Sequence, residues 1–191
     1  TKRVWQARLD PRRNTPSVGI YSHVRDRWGI FHAQPFVLNE RQAGVAIEGV
    51  VRQERIETSQ LAVDTHGYTD FAMTLSRVVG FDLCPRLKEL KQRHLYLPRG
   101  MKAPEEIAAV CRAHIDTQLI RTHWDSLINL GASVSTGNAT AVAVLGRFGS
   151  AARSDPVYEA GVQLGKLLRT VFLADYFVNA EFRQELRRVL N

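Results

Sequence analysis

The sequence predicts an α/β fold, and three observations carry that reading. Apolar residues make up 45% of the 191 residues, enough for a packed core. From Ser17 to Val63 the patterned segments run strand, strand, helix, strand. The last strand, Leu61-Ala62-Val63, ends in an acid, Asp64, and a turn and an apolar-faced helix follow. Open α/β sheets place ligands at the carboxyl ends of strands, beside helix starts, which makes Asp64 a candidate site residue. The same aspartate also reads as a loop residue that caps its own turn, and pattern alone leaves both readings open.

The opening segment to Pro16 is charged and contains Pro11, so it reads as loop or irregular edge. Val18, Ile20, Ser22 and Val24 then alternate with Gly19, Tyr21 and His23, as in a strand. Arg25-Asp26-Arg27 turns the chain, and Trp28 to about Ala33 forms the second arm of a hairpin. Pro35 should end that pairing or lie at an edge. Asn39 starts a helix with Gln42 completing a capping box. Ala43, Ala46, Ile47, Val50 and Val51 give it one apolar face, which Gly44 and Gly49 weaken. Beyond Asp64, Thr65-His66-Gly67-Tyr68 turns the chain, Thr69 caps a helix to about Val79, and Gly80 ends it in the left-handed region.

Phe81 to Cys84 reads as a further strand before Pro85, and Leu95-Tyr96-Leu97 as a brief extended piece. Pro104 suits the first turn of a helix carrying Ile107, Ala108, Val110 and Cys111. Leu119, Ile120, Trp124, Leu127, Ile128 and Leu130 form a second helical pattern. Residues 131–154 are segmented by glycines, and Thr140 to Leu145 is too short for periodicity to separate strand from helix. Asp155-Pro156 opens a long helix to about Val178, and Asn179 caps a last one through Leu190.

The net charge is +7 and the isoelectric point near 9.8, which favours a polyanionic partner. Arg86, Lys88, Lys91 and Arg93 form a basic stretch suited to phosphate contacts, although basic residues also simply solvate a surface. No apolar run approaches the ~18 residues that span a bilayer. Cys84 and Cys111 stand outside any ligand spacing and read as ordinary thiols of a reducing compartment. The six histidines form no zinc pattern. Asp64-x-His66 could open a dinuclear phosphoesterase site, but Gly137-Asn138-Ala139 lacks the histidine that chemistry needs downstream. His66 therefore reads as a polar turn residue, with proximity to a phosphate as the other option. Tyr96 and Trp124 could stack on bases, and otherwise read as core or partly buried side chains.

Asp64-Thr65-His66-Gly67-Tyr68-Thr69-Asp70, its apolar helix and Gly80-Phe81 carry a resemblance. It continues through Pro85-Arg86-Leu87-Lys88-Glu89-Leu90, Leu95-Tyr96-Leu97-Pro98, Arg121-Thr122-His123-Trp124-Asp125 and the leucine-rich stretch from Gly165 to Tyr176. Over most of its length the chain resembles transposases of the class II replicative transposons (the Tn three family). That resemblance implies an RNase H-like core at residues 17–84, a mostly helical insertion at 85–154 and C-terminal helices at 155–191. It implies three acids, Asp-Asp-Glu, holding two divalent ions, Mg²⁺ or Mn²⁺, with Asp64 matching the second. The reaction implied is nicking at transposon ends and strand transfer into target DNA. Its partners are terminal inverted repeats, target DNA and a second copy of the protein forming a homodimer, in the bacterial cytoplasm.

The first acid is expected just before residue 1 and the final glutamate just after Asn191, which would leave residues 1–191 inactive alone. Asp10, followed by Pro11, is a poor substitute for the first acid, and Glu181 and Glu185 sit too early to match the last. Two readings from other classes stay open: a non-catalytic nucleic-acid-binding module on the same fold, and a structural or assembly domain. Metal titration separates the first of these from the enzyme, and salt-dependent DNA affinity separates the second.

Overall fold

The alternation from Ser17 to Val24 turns Tyr21 and His23 inward and leaves Val18, Ile20, Ser22 and Val24 exposed, as a half-buried strand requires. A computed structural model describes residues 8–9, 15–25, 29–38, 40–53, 56–111, 113–148 and 154–190. Strand β2 (Pro16–Val24) pairs antiparallel with β1 (Arg8–Leu9) on one side and β3 (Ile30–Val37) on the other. The second arm of the hairpin thus starts later than expected and runs past Pro35, which sits opposite Ile20. Among the described residues β3 is an edge strand, where a proline leaves no ladder bond unmade. Asp10, Asp26, Arg27 and Trp28 lie outside the described residues.

Helix α1 (Gln42–Val51) is buried from Ala43 to Val50. The helix starts later than expected. Asn39 lies outside the described residues, Arg41 occupies the cap position without a side-chain bond, and the Glu40 carboxylate accepts from the Val37 N–H at 3.1 Å. Glu40 therefore closes the turn before the helix, and the helix begins at Gln42.

The centre of the molecule is the unit β4 (Gln60–Val63), α2 (Asp70–Val78) and β5 (Asp82–Pro85). The two strands are parallel, with Gln60 opposite Asp82 and Val63 opposite Pro85. Thr69 Oγ1 accepts from the Ala72 N–H at 3.1 Å and starts α2. Gly80, at φ +110°, lets the Phe81 N–H return to the Ser76 carbonyl at 3.0 Å and stop it.

The next segment departs from expectation. Glu105–Ile107 forms a single 3-10 turn instead of a helix, and β7 (Ala113–Ile115) follows, parallel to β6 (Tyr96–Pro98). The second helical pattern breaks at His123 into α3 (Thr117–Thr122) and α4 (Trp124–Ser135). Trp124 opens α4 with 45% of its surface exposed, partly buried and outside the core. Thr140 to Leu145 resolves as helix: Thr140 caps α5 (Ala141–Arg147). The long α6 (Pro156–Val178) and α7 (Ala180–Leu190) start as read, with Asp155 and Asn179 as caps. One apolar cluster joins α1, β4, α2, β5, α4, α5, α6 and α7, with Ile47, Leu75, Leu83, Leu127 and Leu173 among its most buried members. The architecture is mixed α/β, with small sheets and seven helices among the described residues.

Candidate functional site

The carboxyl end of β4 is held by short-range bonds that the local sequence dictates. Asp64, exposed, follows Val63 directly, and its Oδ1 accepts from the His66 N–H at 3.0 Å and the Gly67 N–H at 2.9 Å. Thr65 Oγ1 donates to the Arg86 carbonyl at 3.0 Å, and the Arg86 N–H donates to the Val63 carbonyl at 2.8 Å. The turn after β4 is thereby fastened to the end of β5. Asp64 caps its turn, and it stands at the strand end six residues before the helix α2 begins at Asp70. Tyr21, on β2, feels the Asp64 charge; burial first, then that charge, pushes its phenol up to about 12. His66 is exposed in the turn, and Thr65 and Thr69 serve turn and cap as read.

The amino end of α2 meets α6 in a second cluster. Arg169 Nη1 lies 2.5 Å from Asp70 Oδ1, with both side chains largely buried. Burial pushes the Asp70 carboxyl up, an effect that Arg169 and then Lys166 oppose. The Arg169 guanidinium also lies 5.2 Å from the centre of the Tyr96 ring, and Lys166 Nζ lies 5.4 Å from it. Arg93 Nη1 donates to the Tyr68 hydroxyl at 3.2 Å. Backbone contact is close here: a Cβ on Gly165 would stand 1.8 Å from the Asp70 carbonyl oxygen.

Of the basic residues that the sequence singles out, Arg93 reaches the loop between Asp64 and α2. Arg86 flanks it by its backbone, while its guanidinium donates to the Leu190 carbonyl at the end of α7. Lys88 is exposed, and the Lys91 side chain lies outside the described residues. Sequence reasoning misses Lys166, Arg169 and Tyr68. The signal that could point to Arg169 is Gly161-x-x-x-Gly165-x-x-x-Arg169, a stripe at helical spacing that marks the face on which α6 meets α2 closely.

A groove of about 300 Å³ opens beside Arg86, lined by Pro85, Leu90, Phe172, Tyr176 and Leu190. A second, of about 350 Å³, lies at the opposite ends of β4 and β5, by Gln60 and Asp82. Among the described residues no group of three or more His, Cys, Asp or Glu could hold a metal ion. Asp64 fits as one hard oxygen ligand, but one carboxylate is not a complete site, and Asp70 is engaged by Arg169.

The family described as the Tn3 transposase DDE domain matches residues 1–191. A transposase for insertion sequence element IS1071 in transposon Tn5271, from Comamonas testosteroni, is 79% identical over 191 residues, which are 100% of this chain and 20% of that protein. The transposase for transposon Tn21 from Escherichia coli is 27% identical over 179 residues, 93% of this chain and 18% of its own length. The transposase for transposon Tn501 from Pseudomonas aeruginosa is 27% identical over 173 residues, 90% of this chain and 18% of its own. The chain thus spans about one fifth of the length of the relatives it matches. No solved structure matches it. With residues 1–191 matched, the chain belongs to the Tn3 transposase DDE domain family.

Proposed function

We propose that this chain is part of the catalytic domain of a transposase that nicks DNA at transposon ends and joins the freed 3′-hydroxyls to target DNA. The observation that carries the reading is the position of Asp64: a rigid strand end, a turn fixed by two amides, and a helix start beyond. A carboxylate on such a frame keeps its place without help from a mobile loop. In this reading residues 17–84 form an RNase H-like core, 85–154 an insertion, and 155–191 helices laid back on the core. The meander β1-β2-β3, the helix α1 and the parallel pair β4-β5 support it.

Asp64 would be one ligand of a divalent ion, Mg²⁺ or Mn²⁺, beside the further acids of the complete site. Bound there, such an ion supplies Lewis-acid stabilisation of charge on the transferring phosphate. The chain's own part is to orient: the His66 and Gly67 amides fix Asp64, and Thr65 ties its turn to β5. Arg86, Lys88, Lys91 and Arg93 would contact phosphates of the inverted repeats or target, and a second copy of the protein would complete the assembly in the bacterial cytoplasm. Among the described residues no helix is long and apolar enough to cross a membrane.

The test is the complete transposase with transposon-end DNA and either Mg²⁺ or a chelator. Metal-dependent nicks that leave 3′-hydroxyls, followed by joining to target, support the reading. Metal-independent binding with no cleavage would favour instead a non-catalytic nucleic-acid-binding module, which a lone strand-end carboxylate also suits.

A further inference from the structure

The cluster at the amino end of α2 is unbalanced in charge, and its layout indicates what balances it. Three cations, Arg93, Lys166 and Arg169, act on the one carboxylate of Asp70. Arg169 takes that carboxylate for itself at 2.5 Å and is 8% exposed. Its Nε has no hydrogen-bond partner among the described residues. Arg93 and Lys166, both half-buried, form no ion pair among the described residues. Arg93 is positioned by neutral groups, the Tyr68 hydroxyl at 3.2 Å and the Lys88 carbonyl at 3.2 Å, and Lys166 lies over Tyr96. One carboxylate shared by three cations leaves the partly buried cluster with excess positive charge, which an anion would balance. The positive end of the α2 dipole adds to the same field.

The anchoring is as informative as the charge. Arg169 is fixed by Asp70 and by the Tyr96 ring, and Gly165 brings α6 onto the Asp70 backbone. The cations therefore stand on a frame shared with the turn that carries Asp64. An anion with two or more acceptor oxygens, held by a guanidinium and an ammonium, fits this chemistry. On the reading that the domain acts on DNA, such an anion is a phosphodiester.

We propose that Arg93 and Lys166, set on Tyr68 and Tyr96 beside the Asp64 turn, form a seat for one phosphodiester of the strand being cut, with Arg169 and Asp70 as its anchor. This rests on the function proposed above. The seat positions DNA for the reaction and discriminates no sequence, because it touches backbone alone.

The experiment uses the complete transposase and transposon-end substrates in which single phosphates around the cleavage site are replaced, one at a time, by neutral methylphosphonates. Wild type, Arg93→Ala with Lys166→Ala, and the milder Lys166→Gln are compared for initial nicking rate, each after thermal melting shows wild-type stability. At one phosphate, neutralisation should slow the wild type roughly tenfold, as expected when a charge-assisted hydrogen bond is removed. It should slow the doubly substituted protein little further, because the cations that would feel the change are already absent. Lys166→Gln should fall between them. If every methylphosphonate slows the substituted proteins by the same factor as the wild type, the seat does not exist. If the wild type nicks no substrate at all, the functional reading itself falls, and the seat with it.

Discussion

Gly165→Ala puts one methyl group where α6 and α2 touch, and the structure predicts the sign of its effect against the usual rule. In an open helix interior, glycine to alanine stabilises by about 1 kcal/mol through helix propensity. At Gly165 the new Cβ would stand 1.8 Å from the Asp70 carbonyl oxygen and 2.9 Å from its Cα, both backbone atoms that no rotamer change can move. The helices must part by roughly 1.5 Å to restore ordinary contact. Parting them stretches the Arg169–Asp70 pair, which is buried and whose rupture alone costs about 3–5 kcal/mol. Overpacking adds about 1–3 kcal/mol, so a net loss of at least about 3 kcal/mol remains after the propensity gain. For a chain of this length that lowers the melting temperature by about 6–12 °C. Gly146→Ala on α5 is the control, since its Cβ would meet nothing within 4 Å. It should raise stability by up to about 1 kcal/mol. Thermal unfolding followed by circular dichroism on both substituted chains reads the difference. A Gly165→Ala chain as stable as Gly146→Ala would refute the close α2–α6 contact.

Three further outcomes are expected. His23 is 2% exposed, with Nε2 2.8 Å from the Ala46 carbonyl and Nδ1 without a partner among the described residues. Burial lowers its pKa, so the folded state resists a proton that the unfolded chain takes up near pH 6.5. Stability present above about pH 6.5 is thus lost as pH falls through the lower folded value, and His23→Gln should remove that part of the slope in urea melts at pH 7.5 and 5.5. Glu48 Oε2 accepts from the buried Ala141 N–H at 2.5 Å, and Oε1 pairs with Arg52 at 2.8 Å. Glu48→Ala should cost about 2 kcal/mol in the same melts, because the amide at the start of α5 is left buried without an acceptor. For the basic stretch, changing Lys88, Lys91 and Arg93 to alanine should flatten the salt dependence of DNA affinity by up to about 0.9 for each phosphate these side chains neutralise. An unchanged slope would mean that they only solvate the surface.

What the sequence discloses is mostly what a few adjacent residues decide. Thr69, Gly80, Asp155 and Asn179 act on amides within a turn of themselves, and each performs the role its spacing predicts. Elements decided by distant partners are harder to read. Residues 113–115 become a strand because Tyr96–Pro98 lies alongside, and no local pattern near Glu105 encodes that pairing. Asn39 and Gln42 have the spacing of a capping box, but Arg41 occupies the cap position and the helix starts at Gln42. Thr140 to Leu145 is ambiguous by period alone; a cap by Thr140 and the reach of Glu48 from α1 make it a helix. The site divides the same way. The Asp64 turn is local and legible, whereas Arg169 and Lys166 arrive from about a hundred residues downstream, on a helix that reads as core.

In the proposed function Asp64 serves chemistry at a position where it also caps its turn. Asp64→Asn separates the two, because an asparagine Oδ1 still accepts from the His66 and Gly67 amides while the charge is gone. The measurement is nicking of transposon-end DNA by the complete transposase carrying Asp64→Asn, in Mg²⁺ and in Mn²⁺, with end binding and thermal stability followed in parallel. Wild-type binding, a melting temperature unchanged within a degree or two, and no detectable nicking in either metal are expected. Nicking at close to the wild-type rate would contradict that role and leave Asp64 as the cap of a turn.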